Sequence, residues 1–322
     1  MNIEKIRAAA ARAEGHIRRT PLLSSPALDA IAGRRVWVKA ECLQHTGSFK
    51  ARGGWAAVSA LSDAQRSAGI IAYSSGNHAQ GVARAARAMG APAVIVMPAD
   101  APKAKIDGTR ALGAEVVPYD RATEDRDAIG ARLAAERGLT LVKPFDDPEV
   151  IAGQGTTGLE IAAQAAESGI GAADVLVCCG GGGLTSGIAL ALAAEAPDLS
   201  VRPVEPVGFD DVTRSLAAGE ILSNDRLSGS ICDAIVTPRP GDLTFPILKR
   251  LCGPGIVVPD EDCLRAMALA FTHLKLVLEP GGAIALAAAL FHGSPQDGDD
   301  VIAVASGGNV DPAMFARALE MV

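Results

Sequence analysis

The positions of apolar residues along the chain predict helices and strands that alternate. Near the N-terminus, apolar residues recur at the steps of three and four that an amphipathic helix needs, at Ile3, Ile6, Ala10, Ala13 and Ile17. Short apolar runs predict strands at 36–40, 70–73, 94–97, 115–118, 139–142, 175–178, 201–204 and 301–305. Helices are predicted at 50–61, 79–89, 103–112, 124–136, 150–168, after Gly183 and at 312–319. This alternation indicates an α/β fold with two parallel-type sheets and helices on both faces.

The segment between Gly219 and Pro246 breaks this pattern. Glycine, proline, serine and aspartate accumulate there, so we expect long loops with short helices. The predicted strands form two sets, and we predict a large domain of residues 1–68 and 147–322 with a small domain of residues 69–146. Ligands in such folds bind beyond the carboxyl ends of the strands, so the loops that follow the strands are the candidate functional segments.

Composition narrows the classes of protein that the chain can belong to. The residues are 49% hydrophobic but only 3% aromatic, so we expect helices to pack closely on the sheets through small side chains. The net charge of −7, without a dense run of lysine and arginine, argues against a nucleic-acid partner. No signal-peptide pattern is found at the N-terminus, and the apolar runs are shorter than the ~20 residues of a membrane span. We expect a cytoplasmic protein with no membrane partner and with reduced cysteines.

A lysine at a predicted helix start is the first candidate for chemistry. Residues 46–53 read Thr-Gly-Ser-Phe-Lys-Ala-Arg-Gly, and Ser48 is predicted to cap the helix that contains Lys50. Phe49 supplies an apolar wall, and an amine held against an apolar surface has a lowered pKa because its charged form loses hydration. A neutral amine can form a Schiff base. The alternative is a solvated surface lysine.

Three loops after predicted strands carry further candidates. Residues 74–78 read Ser-Ser-Gly-Asn-His and open a helix, whose free N–H groups can bind an anion such as a carboxylate; an ordinary capped turn is the alternative. Residues 306–309 read Ser-Gly-Gly-Asn, and Ser306 is placed either to bind a ring nitrogen or to cap the last helix.

The third loop is an uninterrupted run of four glycines, at Gly180, Gly181, Gly182 and Gly183. Such a run is costly in backbone entropy, and its N–H groups together with the dipole of the next helix form a cup for a phosphate. The spacing is neither that of the dinucleotide fingerprint nor that of a P-loop, which favours a phosphate monoester cofactor. A tight turn for close helix packing is the alternative.

With these motifs in this order, the chain resembles the fold-type II pyridoxal-phosphate enzymes, whose fold is like that of the tryptophan synthase β subunit. It is most similar to the group of threonine/serine dehydratases, serine racemases and hydroxyaspartate dehydratases. The resemblance covers nearly the whole chain, including residues 151–156 and the pair Glu279-Pro280. It implies a homodimer or homotetramer that uses pyridoxal 5'-phosphate to act on an amino acid.

The resemblance also implies roles for individual residues. Lys50 would hold the cofactor covalently and remove the substrate α-proton, and Ser75 would be the second acid–base residue, on the opposite face of the cofactor. The other cofactor contacts would be Phe49, Asn77, Gly180, Gly181, Gly182, Gly183, Leu184 and Ser306. The substrate would be bound by the loop of Ser74, Ser75, Gly76, Asn77 and His78.

Two further assignments concern a metal and the substrate. Glu205, the carbonyl of Phe209 and Asp211 match the divalent-cation site of the racemase-like members, and oxygen ligands suit Mg²⁺ or Ca²⁺; a solvated acidic loop is the alternative. Arg126 lies where racemase-like members have an arginine near the substrate, so it could bind a second carboxylate, as in 3-hydroxyaspartate. A surface ion pair with Asp125 or Asp127 is the alternative.

These inferences favour one activity and leave others open. The favoured activity is a dehydratase, an ammonia-lyase that eliminates water from an L-threonine- or L-serine-type β-hydroxy-α-amino acid and releases a 2-keto acid and ammonia. The alternatives are a 3-hydroxyaspartate dehydratase that releases oxaloacetate and ammonia, a serine or aspartate racemase, and a non-catalytic metabolite-binding protein.

Overall fold

The strands of the chain form two separate β-sheets. A computed structural model describes residues 1–74, 76–101, 103–120, 122–293 and 299–321. The strands are β1 (Leu22–Ser24), β2 (Arg35–Lys39), β3 (Ile70–Tyr73), β4 (Ala93–Pro98), β5 (Glu115–Tyr119), β6 (Thr140–Leu141), β7 (Ala173–Cys178), β8 (Leu199–Pro206), β9 (Ile256–Val258) and β10 (Asp300–Val304). One sheet has the order β1-β2-β10-β7-β8-β9 and the other β5-β4-β3-β6. Among these described strands only β1 is antiparallel to its neighbour, so the prediction of parallel-type sheets is confirmed.

Helices cover the sheets and connect the strands. They are α1 (Ile3–Ala13), α2 (Pro26–Ala32), α3 (Lys50–Ala60), α4 (Asp63–Ala68), α5 (Asn77–Ala88), α6 (Lys103–Ala111), α7 (Arg126–Arg137), α8 (Pro148–Glu167), α9 (Gly183–Glu195), α10 (Asp211–Ala218), α11 (Thr244–Leu251), α12 (Asp260–Leu274), α13 (Pro280–Phe291) and α14 (Pro312–Leu319). Within the described residues, no helix has the length and apolar character needed to cross a membrane.

The predicted strands are present because strands of a parallel sheet are buried on both faces and read as continuous apolar runs. Every residue of β4 and of β10 is buried. All four strands of the second sheet lie within residues 69–146, while the division of the chain into two domains stays a prediction.

Several elements were not predicted. Among them is α13, which is buried over most of its length and therefore has no polar face to give a helical period. The strand β9 is only three residues long, and α11 begins inside the segment that breaks the apolar pattern.

Small residues bring helices into backbone contact. A Cβ on Gly54 of α3 would lie 2.6 Å from the carbonyl of Gly81 in α5, and a Cβ on Gly187 of α9 would lie 2.7 Å from the backbone N of Gly155 in α8. The expectation of close packing through small residues is therefore met. Because α3 and α5 are in direct contact, their first residues, Lys50 and Asn77, are held near the same cavity.

A buried ion-pair network anchors the first turn of α3. Both guanidinium edges of Arg52 are used: Nε and Nη2 donate to Glu41 at 2.7 Å, and Nη1 donates to Glu160 at 2.7 Å. Lys39 of β2 also donates to Glu160, at 2.5 Å. Arg52 is 2% exposed and Glu41 is fully buried, so the network ties α3 to the end of β2 and to α8 with almost no access to water.

Candidate active site

A cavity of about 460 Å³ lies where the carboxyl ends of strands from both sheets meet. Strands β3, β7 and β10 end at its wall, which places the three predicted loops around one space. The predicted residues that line it are Phe49, Lys50, Ser74, Gly76, Asn77, His78, Arg126, Gly180, Gly181, Gly182, Gly183, Leu184 and Ser306. Ser75, the predicted second acid–base residue, lies outside the described residues.

Lys50 is the first residue of α3 and points into this cavity. Its Nζ donates a hydrogen bond of 2.7 Å to the carbonyl oxygen of Pro144 and lies 5.3 Å from the centre of the Phe49 ring. Burial lowers the pKa of this amine to about 8. The amine is therefore far more often neutral at physiological pH than a solvated lysine.

The predicted cap of α3 is wrong. Phe49 is the N-cap residue, and the hydroxyl of Ser48 is buried without a hydrogen-bond partner. Ser48 is extended and forms an isolated β-bridge with Gly307. The segment before Lys50 is thus held by the loop after β10.

The glycine loop passes so close to its neighbours that side chains do not fit. A Cβ on Gly181 would lie 2.3 Å from the ring of Phe145, and Gly182 has a φ of +91°, a conformation that favours glycine. The loop leads into α9, which starts at Gly183. The first N–H groups of a helix have no partner within it, so this end offers donors to an anion in the cavity.

The loop after β10 supplies Ser306, whose oxygen accepts a hydrogen bond of 3.2 Å from the thiol of Cys178. Burial raises the pKa of Cys178 to about 11, so the thiol keeps its proton. The last helix, α14, is capped by Asp311. The alternative that Ser306 caps this helix is therefore wrong.

Hydrogen bonds of its own residues hold the loop after β3 in place. The oxygen of Ser74 accepts a hydrogen bond from the backbone N–H of Gly76, at 3.1 Å, just before α5 starts at Asn77. The Nε2 of His78 lies 3.0 Å from the carbonyl oxygen of Val142, and Nδ1 is buried without a partner. Burial, together with the charge of Lys50, lowers the pKa of His78 to about 3, so this ring is neutral.

Two cations from the helices after β4 and β5 line the cavity. Arg126 starts α7 after its cap, Asp125, and its guanidinium carbon lies 5.4 Å from the centre of the Tyr73 ring. Its nearest carboxylate is Asp127, at 3.8 Å. The second cation is Lys105 of α6. Its Nζ lies close to Gly76, 3.6 Å from the position that an added Cβ would take. Lys105 forms no ion pair with the described residues. Arg126 thus both lines the cavity and forms a long, exposed ion pair with Asp127, so its role at the substrate stays a prediction.

Two of the predicted metal ligands, Glu205 and Asp211, lie near each other, and none of the three lines the cavity. Glu205 is the second-last residue of β8 and accepts hydrogen bonds from the backbone N–H groups of Val212 and Thr213, at 2.9 and 2.7 Å. Asp211 starts α10, and its Oδ2 is buried without a partner. Burial raises the pKa of Glu205 to about 8 and that of Asp211 to about 6. No cluster of three or more metal-binding side chains occurs in the described ranges, so a cation here would need backbone oxygens as well.

The cavity wall also contains residues that were not predicted as site residues, among them Lys105, Cys178 and Glu279. Cys178 occupies the last position of β7 and reads as an ordinary buried strand residue. Glu279 belongs to the pair Glu279-Pro280 that the family resemblance includes, but no role was predicted for it. Only their approach to residues distant in sequence places them at the site.

This arrangement has counterparts among known proteins, and a comparison with protein families matches residues 13–307 to the family "Pyridoxal-phosphate dependent enzyme". The chain belongs to this family, and it is a pyridoxal-phosphate-dependent enzyme. An L-threo-3-hydroxyaspartate ammonia-lyase from Pseudomonas sp. is 44% identical over 97% of this chain and 96% of its own length. A serine racemase from Oryza sativa subsp. indica is 39% identical over 99% of this chain and 94% of its own. The crystal structure of a threonine deaminase from T.th. has a TM-score of 0.91 at 45% identity, covering 97% of this chain and 99% of that one.

The cavity fits the cofactor that the family uses. The glycine loop and the start of α9 form a cradle for a phosphate group, because Cβ atoms at these positions would fill the space or strike its walls. Lys50 brings an amine of lowered pKa to the same space, and Ser306 brings a hydroxyl.

Proposed function

We propose that the enzyme eliminates water from a β-hydroxy-α-amino acid and releases a 2-keto acid and ammonia. The observation that carries this proposal is the amine of Lys50, held in the cavity with its pKa lowered to about 8, beside a phosphate cradle. The names of similar proteins, L-threo-3-hydroxyaspartate ammonia-lyase and threonine deaminase, agree with the reaction class.

In this proposal, Lys50 is the base. When bound, pyridoxal phosphate supplies an electron sink for the charge that develops at the substrate α-carbon. Lys50, in its neutral form, takes the α-proton, and the protonated amine then returns a proton to the β-hydroxyl, which leaves as water and completes the elimination. The dehydrated product takes up water and releases ammonia, so the net reaction converts one amino acid into one 2-keto acid and one ammonia.

Other residues of the cavity hold the reactants. Asn77 and Phe49 would contact the cofactor ring, and Gly180 to Leu184 its phosphate. Ser306 accepts its hydrogen bond from Cys178 and so keeps its own hydrogen for the ring nitrogen. A hydroxyl is a weak acid and does not protonate that nitrogen, which limits the electron sink and favours loss of the β-hydroxyl. Ser74, Gly76 and the start of α5 would bind the substrate carboxylate.

The substrate is either a threonine/serine-type amino acid or a 3-hydroxyaspartate. A threonine/serine-type substrate needs no group beyond those named above. The second is favoured by the two cations of the cavity wall, because Lys105 forms no ion pair with the described residues and Arg126 is held only loosely by Asp127. A β-carboxylate would give both cations a partner.

Replacing Arg126 with alanine distinguishes these substrates. If the substrate is a dicarboxylate, kcat/KM for 3-hydroxyaspartate should fall ten- to a hundredfold, because a hydrogen-bonded charge pair contributes roughly 1.5–3 kcal/mol, whereas kcat/KM for L-threonine and L-serine should stay within about twofold. The measurement is keto-acid release from L-threonine, L-serine and both 3-hydroxyaspartate diastereomers.

The matched control is Arg132→Ala, on the same helix and paired with Glu136 at the surface. An unchanged ranking of substrates in Arg126→Ala would remove this residue from the substrate site. A chiral assay on serine, run beside the keto-acid measurement, tests the alternatives. D-serine that accumulates faster than pyruvate would favour the racemase, with Ser75 as the second acid–base residue, and absence of keto acid from all four substrates would favour a non-catalytic binding protein.

We also propose that Glu205, the carbonyl of Phe209 and Asp211 bind Mg²⁺ or Ca²⁺. Supporting this, Asp211 Oδ2 is buried without a partner, and burial raises the pKa of both carboxyl groups. Two carboxylates and a carbonyl oxygen are hard ligands suited to these cations. A cation would replace the protons that the buried carboxyl groups otherwise retain.

This site predicts a pH-dependent effect of the cation on stability. Without a cation, the free energy of unfolding should fall as pH rises from about 4.5 to about 8, because the folded state retains protons that the unfolded carboxyl groups release. Millimolar Mg²⁺ or Ca²⁺ should cancel that fall, so the gap in Tm between cation and chelator should be larger at pH 8 than at pH 6. Asp211→Asn should abolish the gap and Asp210→Asn should keep it. If chelator does not change Tm at pH 8, the site binds no cation, and the alternative of a solvated acidic loop holds.

The family resemblance further suggests a homodimer or homotetramer, and the sequence analysis predicts a cytoplasmic protein. The oligomeric state and the location stay predictions. Sedimentation equilibrium tests the first, and cell fractionation tests the second.

A further inference from the structure

A buried carboxyl group stands next to the asparagine that the proposed function places at the cofactor ring. Glu279 directly precedes α13 and is 4% exposed. Its Oε1 accepts a hydrogen bond of 2.6 Å from the Nδ2 of Asn77, which lies 202 positions earlier in the chain. The reaction steps given above do not use this carboxyl group.

Neighbouring hydrogen bonds determine which way the Asn77 amide points. The Nδ2 of Asn309 donates both to the carbonyl oxygen of Thr46, at 2.8 Å, and to the Oδ1 of Asn77, at 2.7 Å. A backbone carbonyl only accepts, so the group that faces Thr46 is the NH₂ of Asn309, and the group that it meets on Asn77 is the oxygen. The NH₂ of Asn77 therefore faces Glu279, with a second N–H left for the cavity.

Glu279 is held in this position by the loop after β10. Its backbone N–H donates to the carbonyl oxygen of Gly307 at 3.1 Å. A Cβ on Gly307 would lie 2.1 Å from the Oε1 of Glu279 and 3.3 Å from the Nδ2 of Asn77. The loop that carries Ser306 thus packs directly against both groups.

The charged and titratable groups around Glu279 come from three elements. Lys105 of α6 favours the ionised carboxylate, whereas Asp233, in the turn at Asp233–Ile235, disfavours it; Cys178 of β7 is also close but keeps its proton. Burial is the largest influence and raises the pKa of Glu279 to about 7. Near neutral pH the carboxyl group therefore changes between a charged acceptor and a weaker, neutral one.

We propose that Glu279 is a positioning residue, whose carboxylate holds the Asn77 amide so that its remaining N–H is presented to the 3-oxygen of the bound cofactor ring. This inference rests on the proposed role of Asn77 at that oxygen. Ionised Glu279 fixes the amide more firmly than neutral Glu279. Cofactor affinity therefore has a component that rises with pH through about 7.

The test is a titration of cofactor-free protein with pyridoxal phosphate, followed by absorption from pH 6 to pH 9. Glu279→Gln keeps the shape of the side chain but removes its charge. This variant should raise the Kd for pyridoxal phosphate about tenfold at pH 8, shift the absorption maximum of the bound cofactor, and lose the component of affinity that depends on ionisation near pH 7. Glu261→Gln, an exposed residue of α12, is the matched control and should behave as the wild type.

A double-mutant cycle separates positioning from a general loss of structure. Asn77→Ala should weaken binding, and Glu279→Gln should add almost nothing in the Asn77→Ala background, since it acts through that amide. Additive losses, or a Glu279→Gln protein with the wild-type Kd, spectrum and pH profile, would overturn the inference. If Glu279→Gln does not fold, Asn309→Ala tests the same geometry. This variant should shift the absorption maximum of the bound cofactor but keep the component of cofactor affinity that depends on pH near 7. An unshifted spectrum would contradict the inference. Release of keto acid by the wild type tests the proposed function separately.

Discussion

Replacing Lys50 with alanine should lower kcat for keto-acid release by at least about 10³-fold. The structure places this amine in the cavity with a pKa of about 8, and general-base catalysis alone contributes about 10²–10⁴-fold. Loss of the covalent attachment adds to this effect. The measurement is the rate of keto-acid release with saturating substrate and excess pyridoxal phosphate.

The matched control is Lys103→Ala, an exposed lysine of α6, which should retain wild-type turnover. Amine acetylation of cofactor-free protein, read by mass spectrometry, gives an independent check. Labelling at position 50 should increase with pH to a plateau with its midpoint near 8, because only the neutral amine reacts. Full turnover in Lys50→Ala would reject the catalytic assignment.

Replacing Arg52 with methionine should lower the free energy of unfolding by about 3–5 kcal/mol. Methionine fills much of the same volume, but it leaves Glu41 buried without its ion pair and the two hydrogen bonds from Arg52. Removal of one partner from a buried pair costs this much because the remaining charge stays in an apolar surrounding. The measurement is unfolding in urea, with the midpoint and slope fitted together.

The control for Arg52→Met is Arg66→Met, since Arg66 pairs with an aspartate whose side chain is 96% exposed and its loss should change stability by about 0.5 kcal/mol or less. The double variant Arg52→Met, Glu41→Gln should recover part of the loss because it removes the buried charge. A loss below about 1 kcal/mol in Arg52→Met would show that the buried Glu41 carboxylate does not need Arg52 for stability.

Much of the fold follows from local pattern. Strand β3 and helix α14 coincide with the predicted ranges, because a buried parallel strand and an amphipathic helix each leave a regular apolar signal. The signal fails where burial is nearly complete, as in α13, or where the element is very short, as in β9. Such elements depend on the packing of the whole chain.

The site likewise combines motifs that are visible in the sequence with contacts that only the fold creates. The glycine run and the lysine motif are contiguous, so their chemistry is visible in the sequence. The cap at Ser48 was wrong because a β-bridge to Gly307, which no local pattern encodes, sets its conformation. The contact between Glu279 and Asn77 joins positions 202 apart, and only the fold brings them together.

The pairing of β2 with β10 has a consequence for how the protein is made. Val36 lies opposite Val301, so the strand just before Lys50 has its neighbour near the opposite end of the chain. The ribosome releases the N-terminal part first, and β3 to β6 can pair with one another as soon as they emerge. The edge of β2 that pairs with β10 must wait until β10 has been synthesised. The larger sheet, and with it the catalytic cavity, is thus completed only then, and until that point this edge of β2 is open to wrong partners.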